Sequence, residues 1–383
     1  MKKALTVLLC RAAALVLCTV AVISLLPRIT PAADAAGEKL LLLASQDDLT
    51  QSVQSIFSSY IPQTEGNTDT IPSEKPQPVM RRIGSEDSDD DWDITETPAD
   101  VLALMKTAQE TVREEDYIAA TSEEPYLGGG TLLEENGVEI QSKIPADFYN
   151  PDIGALLEQG ADLLIEDKSR PTVLVYHSHT TEAYALLDTG FYISSDARSK
   201  DNARNVVRVG DELVRALERH GYQVIHDTEI HDEDYNASYD SSRRSIEKYL
   251  EEYPSIEITI DLHRDDITYS NKTKVKPTAV VNGKKAARMM LIAGCEYGKV
   301  ENYPDWEYNL RFDLAVQQQV NRMYAGVMRP VLFSQRKYNM YETHNSFLLE
   351  VGTDANTLEE ACYAARMFGD ALGTLLDEQY LKK

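Results

Sequence analysis

The sequence predicts an α/β fold, a mixed and mostly parallel sheet with helices on both faces, preceded by an apolar N-terminal segment and an acidic tether. Three observations lead there. Beyond about Gly137, short β-rich runs alternate with amphipathic helical stretches; residues 28 to 136 lack that alternation; and the first 26 residues are almost continuously apolar. The organisation expected is therefore 1–27, 28–136 and 137–383. Composition narrows the function. Lys plus Arg number 38 against 63 Asp plus Glu, a net charge of −25 over 383 residues, and the pI is near 4.7. Such a field repels phosphate backbones, which excludes a nucleic-acid binder held by counterion release. Four cysteines are too few for a disulfide scaffold, and Cys295 and Cys362 read as small buried hydrophobes.

Met1-Lys2-Lys3 precedes Ala4 to Leu26, 23 residues interrupted only by Thr6, Arg11, Thr19 and Ser24. At about 1.5 Å per residue that length spans a hydrocarbon layer of about 30 Å, with the basic end inside. The expectation is a single-pass membrane anchor with everything after Pro27 outside the membrane. The competing reading is a secretory signal cut near Ala33-Asp34-Ala35; either one exports the rest. Between Glu86 and Asp100 lie eight acidic residues and no base, a run that self-repels and stays solvated, so the tether is expected to be largely disordered. Within it, Asp100 to Glu115 has a short amphipathic pattern, and Gly128-Gly129-Gly130 reads as a flexible break.

Further on, Thr172–Tyr176 is a strand, Arg204–His220 a helix closed by Gly221, and Tyr222–Ile225 a strand. Ser241–Glu252 is helical and Ile256–Leu262 extended. Thr278–Val281 and Met289–Ala293 are strands with Asn282-Gly283, a hairpin signal, after the first. Asn309–Tyr324 is a helix, Ser346–Val351 a buried strand, and Asn356–Leu376 a final amphipathic helix.

Three strand ends carry polar residues that an apolar core does not choose: His177-Ser178-His179-Thr180-Thr181-Glu182, Asp261-Leu262-His263-Arg264-Asp265, and Glu350 inside Phe347–Val351. Three of only seven histidines sit there. Two imidazoles and a carboxylate are what a catalytic Zn²⁺ needs, with one position left for water. Glu350, a lone charge in an apolar strand, suits a general base, since burial raises its pKa. Its bland alternative is an ion pair with Arg336 or Arg264. Asp261 and Asp265 read as partners of His263 or as solvated loop aspartates. His344 either lines the site or lies on the surface; His220, His226 and His231 read as helix-end or loop histidines. A rival chemistry makes Ser178 a nucleophile with His263 and an Asp, although no Gly-x-Ser-x-Gly elbow surrounds it.

Val173-Leu-Val-Tyr-His-Ser-His-Thr-Thr-Glu-Ala-Tyr184, Ile260-Asp-Leu-His-Arg-Asp265 and Leu348-Leu-Glu-Val-Gly-Thr-Asp-Ala-Asn-Thr-Leu-Glu-Glu-Ala361 closely resemble the stage II sporulation protein P family. So do Val209–Leu213, His226-Asp-Thr and Tyr239–Arg243. The resemblance runs from about 137 to 380. It implies a zinc-amidase-like fold and a zinc-dependent N-acetylmuramoyl-L-alanine amidase, with endopeptidase action on peptide cross-links. It also implies a protein anchored in the mother-cell membrane that thins septal peptidoglycan during engulfment, beside stage II sporulation proteins D and M. By the same resemblance His179 matches the first zinc ligand, His263 the second and Glu350 the catalytic carboxylate. Where those amidases carry a Glu at a helix start, this chain has Asp201-Asn202-Ala203. Glu182 is then the carboxylate ligand or a polar substrate contact, and His177 an alternative ligand. Arg264, Asp265, His344 and Arg336 are the expected substrate-contacting or supporting residues. That departure keeps open a decayed wall-binding or scaffold protein, and Ser178 keeps open a serine esterase acting on wall polymers.

Overall fold

The computed structural model describes residues 92–126, 128–193 and 197–382. The expected anchor at 1–27 and the tether up to 91 lie outside the described residues. Among the described residues, no helix is long and apolar enough to cross a membrane.

The chain runs through α1 (Ala99–Thr111), β1 (Ala119–Glu124), β2 (Thr131–Glu135), β3 (Val138–Ser142), α2 (Ile153–Gln159), β4 (Pro171–Tyr176) and β5 (Phe191–Tyr192). It continues with α3 (Val206–Arg219), β6 (Gln223–His226), α4 (Ser238–Glu252), β7 (Ile258–Asp265), β8 (Lys274–Val281), β9 (Lys284–Ala287) and β10 (Met289–Gly294). Then come α5 (Trp306–Met323), β11 (Val331–Ser334), β12 (Asn345–Thr353) and α6 (Leu358–Leu375).

Eight strands form the main sheet in the order β2-β3-β11-β10-β12-β7-β4-β6. Only β2/β3 and β10/β12 pair antiparallel; the other neighbours run parallel. Strand β4 shows why helices cover both faces. Val173 and Val175 enter the large core with α3 and α6, whereas Leu174 and Tyr176 pack with Ile246 and Tyr249 of α4, the period of two that an extended chain imposes. Asn205 caps α3, its side chain accepting from Val207 N at 2.9 Å, and Thr357 with Glu360 forms a reciprocal capping box at α6.

The structure corrects the reading of 92–136 as tether. Helix α1 buries Val101 and Ala108, β2 edges the main sheet, and β1 joins a second sheet, β5-β1-β8-β9, that the sequence did not announce. Gly128 and Gly130 lead into β2 at φ +79° and +136°; a Cβ on Gly130 would come within 2.7 Å of the Ser142 carbonyl. Asp100 pairs with Arg208 at 2.6 Å, Arg208 with Glu212 at 2.6 Å, and Glu212 with Arg366 at 2.7 Å. This ladder of charges, buried below Asp100, fastens α1 to α3 and α6. The Asn282-Gly283 hairpin is present, with both residues at positive φ (50° and 77°). Its return strand is β9, and Met289–Gly294 crosses into the main sheet instead. Cys295 and Cys362 are free and buried, and burial pushes each thiol up to about 12.

Asp313 on α5 is fully buried, neither carboxyl oxygen has a partner, and burial raises its pKa well above the ordinary value. A carboxyl held neutral in the fold contributes stability below its unfolded pKa of about 4 and loses it as pH rises. Asp313→Asn should therefore melt higher than the parent at pH 8, by roughly 2–4 °C for each kcal/mol relieved, and at the same temperature near pH 4. An equal difference at both pH values would contradict the neutral carboxyl.

Candidate functional site

The site forms at the carboxyl ends of β4, β7 and β12, the centre of the main sheet. Parallel pairing of β12 with β7 sets Glu350 beside His263, and pairing of β4 with β7 sets Tyr176 beside Asp261. The loop leaving β4 therefore lands against the end of β7. There His179 and His263 stand ring to ring at 5.4 Å between centroids, mutually perpendicular, and His263 Nδ1 lies 3.3 Å from Glu182 Oε2.

Each of these groups is held from behind. Arg264 donates its backbone N–H to Glu182 Oε2 at 3.2 Å, while its guanidinium is spent on the carbonyls of Ala183 and Ala197. Burial opposes the charge on Glu182, but Arg264, His263 and His179 prevail and bring it down to about 2. Asp261 Oδ1 stands 2.8 Å from His263 Nε2, close enough for charge attraction though too poorly aligned for a hydrogen bond. His179 is brought down to about 4, by burial first and then by His263. Tyr235 stacks on it at 4.3 Å and 9°, and Tyr239 meets it edge-on at 5.4 Å.

Glu350 Oε2 is buried without a hydrogen-bond partner, and no ion pair to this carboxylate is found among the described residues, so neither Arg336 nor Arg264 satisfies it. Burial and then Asp265 push its pKa up to about 8. Asp265 itself is paired with Arg329 at 2.9 Å.

Other expectations land elsewhere. His177 has both ring nitrogens committed elsewhere: Nδ1 to the Leu262 carbonyl at 2.8 Å and Nε2 to His226 Nε2 at 2.9 Å. Burial, then His226, lowers it to about 3. Gly210 has no side chain because a Cβ there would lie 2.7 Å from His226 Nε2 and 2.9 Å from His177 Cε1. His344 is exposed, stacked on Tyr308 and paired with Asp162 at 2.8 Å; six residues of strand put it about 20 Å from Glu350. Ser178 is fully buried and its hydroxyl donates to Asp261 at 2.7 Å, beside Ser242 Oγ at 2.8 Å. Among the described residues no imidazole hydrogen-bonds to it. Asp201 is exposed and accepts from Ala203 N; the start of α3 instead adjoins Glu182, whose carbonyl accepts from Val206 N at 2.9 Å. The tyrosines 235, 239 and 338 were missed, because isolated aromatics in loops and helix starts carry no periodic signal.

The donors fit a metal ion. Two ligands bound at about 2.0–2.1 Å to a tetrahedral zinc stand about 3.3 Å apart, the separation seen between His263 Nδ1 and Glu182 Oε2. His179 Nδ1 is buried without a partner beside them. As the side chains stand, no group of three or more His, Cys, Asp or Glu is gathered closely enough to hold an ion among the described residues.

The profile of the stage II sporulation protein P family matches residues 53–373. The chain belongs to that family. The stage II sporulation protein P of Bacillus subtilis (strain 168) is 30% identical over 219 residues, 54% of this chain and 51% of that protein; the chain thus spans about half the length of this curated relative. Among solved structures, the CwlD amidase of Clostridioides difficile in complex with the GerS lipoprotein aligns over 54% of this chain and 98% of its own, with TM-score 0.34 and 11% identity. The N-acetylmuramoyl-L-alanine amidase AmiC2 of Nostoc punctiforme aligns over 56% and 99%, with TM-score 0.33 and 14% identity. Family membership rests on the sequence match.

Among the described residues, Glu350 is pushed up to about 8 and Glu218 to about 7, and burial also raises Glu257 and Glu342. Carbon-detected NMR of metal-free protein labelled at glutamate should show one carboxyl titrating near pH 8 and another near pH 7. The higher one should vanish in Glu350→Gln, and its survival there would refute the assignment.

Proposed function

We propose that this chain is a zinc-dependent N-acetylmuramoyl-L-alanine amidase that hydrolyses the amide joining N-acetylmuramic acid to L-alanine in peptidoglycan during sporulation, with peptide cross-links as a second target. The observation that carries the reading is Glu350, an unpartnered carboxyl registered beside His263 and within reach of the His179–Glu182–His263 group. In this reading His179, His263 and Glu182 hold the zinc. Bound there, the ion supplies Lewis acidity for the scissile carbonyl and the attacking water.

The rest falls to the protein's own groups. Asp261 lies against His263 Nε2 and favours positive charge on that ring, and Arg264 holds Glu182 ionised and aimed. Glu350, raised toward neutrality, accepts the proton of the attacking water and then donates it to the departing alanine nitrogen. One carboxyl thus serves as base and then acid. The helix-start departure no longer favours a decayed site, because Glu182 adjoins that helix start. The serine esterase loses its support with Ser178 buried against Asp261.

The wider setting belongs to the proposal too. Residues 1–27 anchor the chain in the mother-cell membrane, the folded part faces the septal peptidoglycan, and stage II sporulation proteins D and M are partners in thinning it. Family membership is what supports this placement.

Glu350→Gln is expected to retain wild-type zinc content and lose at least about 10³-fold in stem-peptide release from purified sacculi. His263→Ala should lose both metal and turnover, and His177→Ala should keep its metal. Chelator should abolish activity and zinc restore it; release of stem peptides that persists after complete zinc removal would sink the reading.

A further inference from the structure

Tyr338 sits in the turn between β11 and β12 with φ +44°, left-handed backbone that a bulky side chain rarely adopts. Asn339, the next residue, is the type that tolerates this region, yet the strain falls on the tyrosine. Strained positions of this kind persist where the surroundings over-determine them, and they gather at working sites. Here the surroundings are specific. The Tyr338 ring packs against Met290, Ile292 and Leu348. Leu348 lies two residues before Glu350, hence on the same face of β12 and about 7 Å along it, and Met290 is the residue directly paired with Glu350 across the antiparallel ladder. From the other side Tyr239 stacks on Tyr338 at 4.9 Å and 19°, and Tyr239 in turn meets the edge of His179 at 5.4 Å. The Tyr338 ring is thus tied on one side to the cluster that includes Leu348 of the strand carrying Glu350 and on the other, through Tyr239, to His179. Its hydroxyl accepts a hydrogen bond from Arg336 Nη1 at 2.5 Å. That bond uses an oxygen lone pair and leaves the phenolic hydrogen unspent, and a donor polarised in this way gives a stronger bond onward.

We propose that Tyr338 is a substrate-contacting catalytic residue: its phenol donates a hydrogen bond to the scissile carbonyl oxygen as negative charge develops there, and Arg336 is the positioning residue behind it. The phenol keeps its proton throughout; no covalent bond to it forms or breaks. The inference rests on the hydrolase reading above and adds to it a donor that the protein itself provides, aimed at charge present mainly in the transition state.

Tyr338→Phe retains ring, stack and backbone and removes only the hydroxyl. On purified sacculi its kcat should fall about 10²–10³-fold, with KM within about threefold of wild type. Affinity for a phosphonamidate analogue of the muramoyl–alanine amide, measured by calorimetry, should fall in parallel, while zinc content stays at the wild-type level. Arg336→Met should show a smaller loss of kcat in the same direction. The donor role is overturned if Tyr338→Phe turns over like wild type while Glu350→Gln is inactive, an outcome that leaves the hydrolase reading standing. A fall in kcat with unchanged analogue affinity, or with lost zinc, also overturns it. If the wild-type chain is as inactive as Glu350→Gln, the hydrolase reading fails and this inference with it.

Discussion

The register of β12 on β7 is the constraint on which the site depends. Both strands lie in the middle of the sheet, flanked on each side by other strands, and both are buried over nearly their whole length. A slip of one residue would turn every inward side chain outward. The alternation of apolar residues along Phe347, Leu349 and Val351, all in the main core, therefore locks Glu350 opposite His263. A carboxyl with no ion pair among the described residues is kept in an apolar strand because the strand cannot move without losing the core. The loop from β4 then has only to deliver His179 and Glu182 to a place already fixed.

The second feature of the site is how it separates two carboxyls of similar intrinsic acidity. Glu182 has Arg264 and both imidazoles around it and is driven to about 2. Glu350 has burial and Asp265 against it and is driven to about 8. At neutral pH one is an anion suited to holding a cation, and the other lies close to its own midpoint, where a proton is as readily taken as given. Environment alone assigns the two roles.

The sheet and its strand ends were legible in the sequence because they follow from local pattern. Val173 to Val175, Ile258 to Ile260 and Phe347 to Leu349 are largely apolar runs that give way abruptly to His, Asp and Glu, and a buried parallel strand is the structure that explains such a break. The residues gathered there follow from topology, since strand ends of one parallel sheet face one direction. What was not legible depends on contacts remote in sequence. The acidic run before Asp100 reads as solvated, but the partners of this stretch, Arg208 on Asp100 and Arg366 on the Ile94 carbonyl, lie more than a hundred residues on. Strand β11 is four residues long, too short to show a period. His177 and His179 are equivalent by pattern; only the approach of His226 and Leu262 tells them apart. The strained backbone of Tyr338 has no signature in sequence at all.

Asp261 has a consequence of its own. It receives the N–H and hydroxyl of Ser178 while facing His263, and Ser178 meets Ser242, which accepts from Asn339 at 3.0 Å, the neighbour of Tyr338. One polar thread thus sews three separate stretches of chain, the β4 loop, the first turns of α4 and the turn before β12, to a single carboxylate. Substitutions along such a thread do not act independently. A replacement along it that is harmless in one background therefore becomes damaging in another.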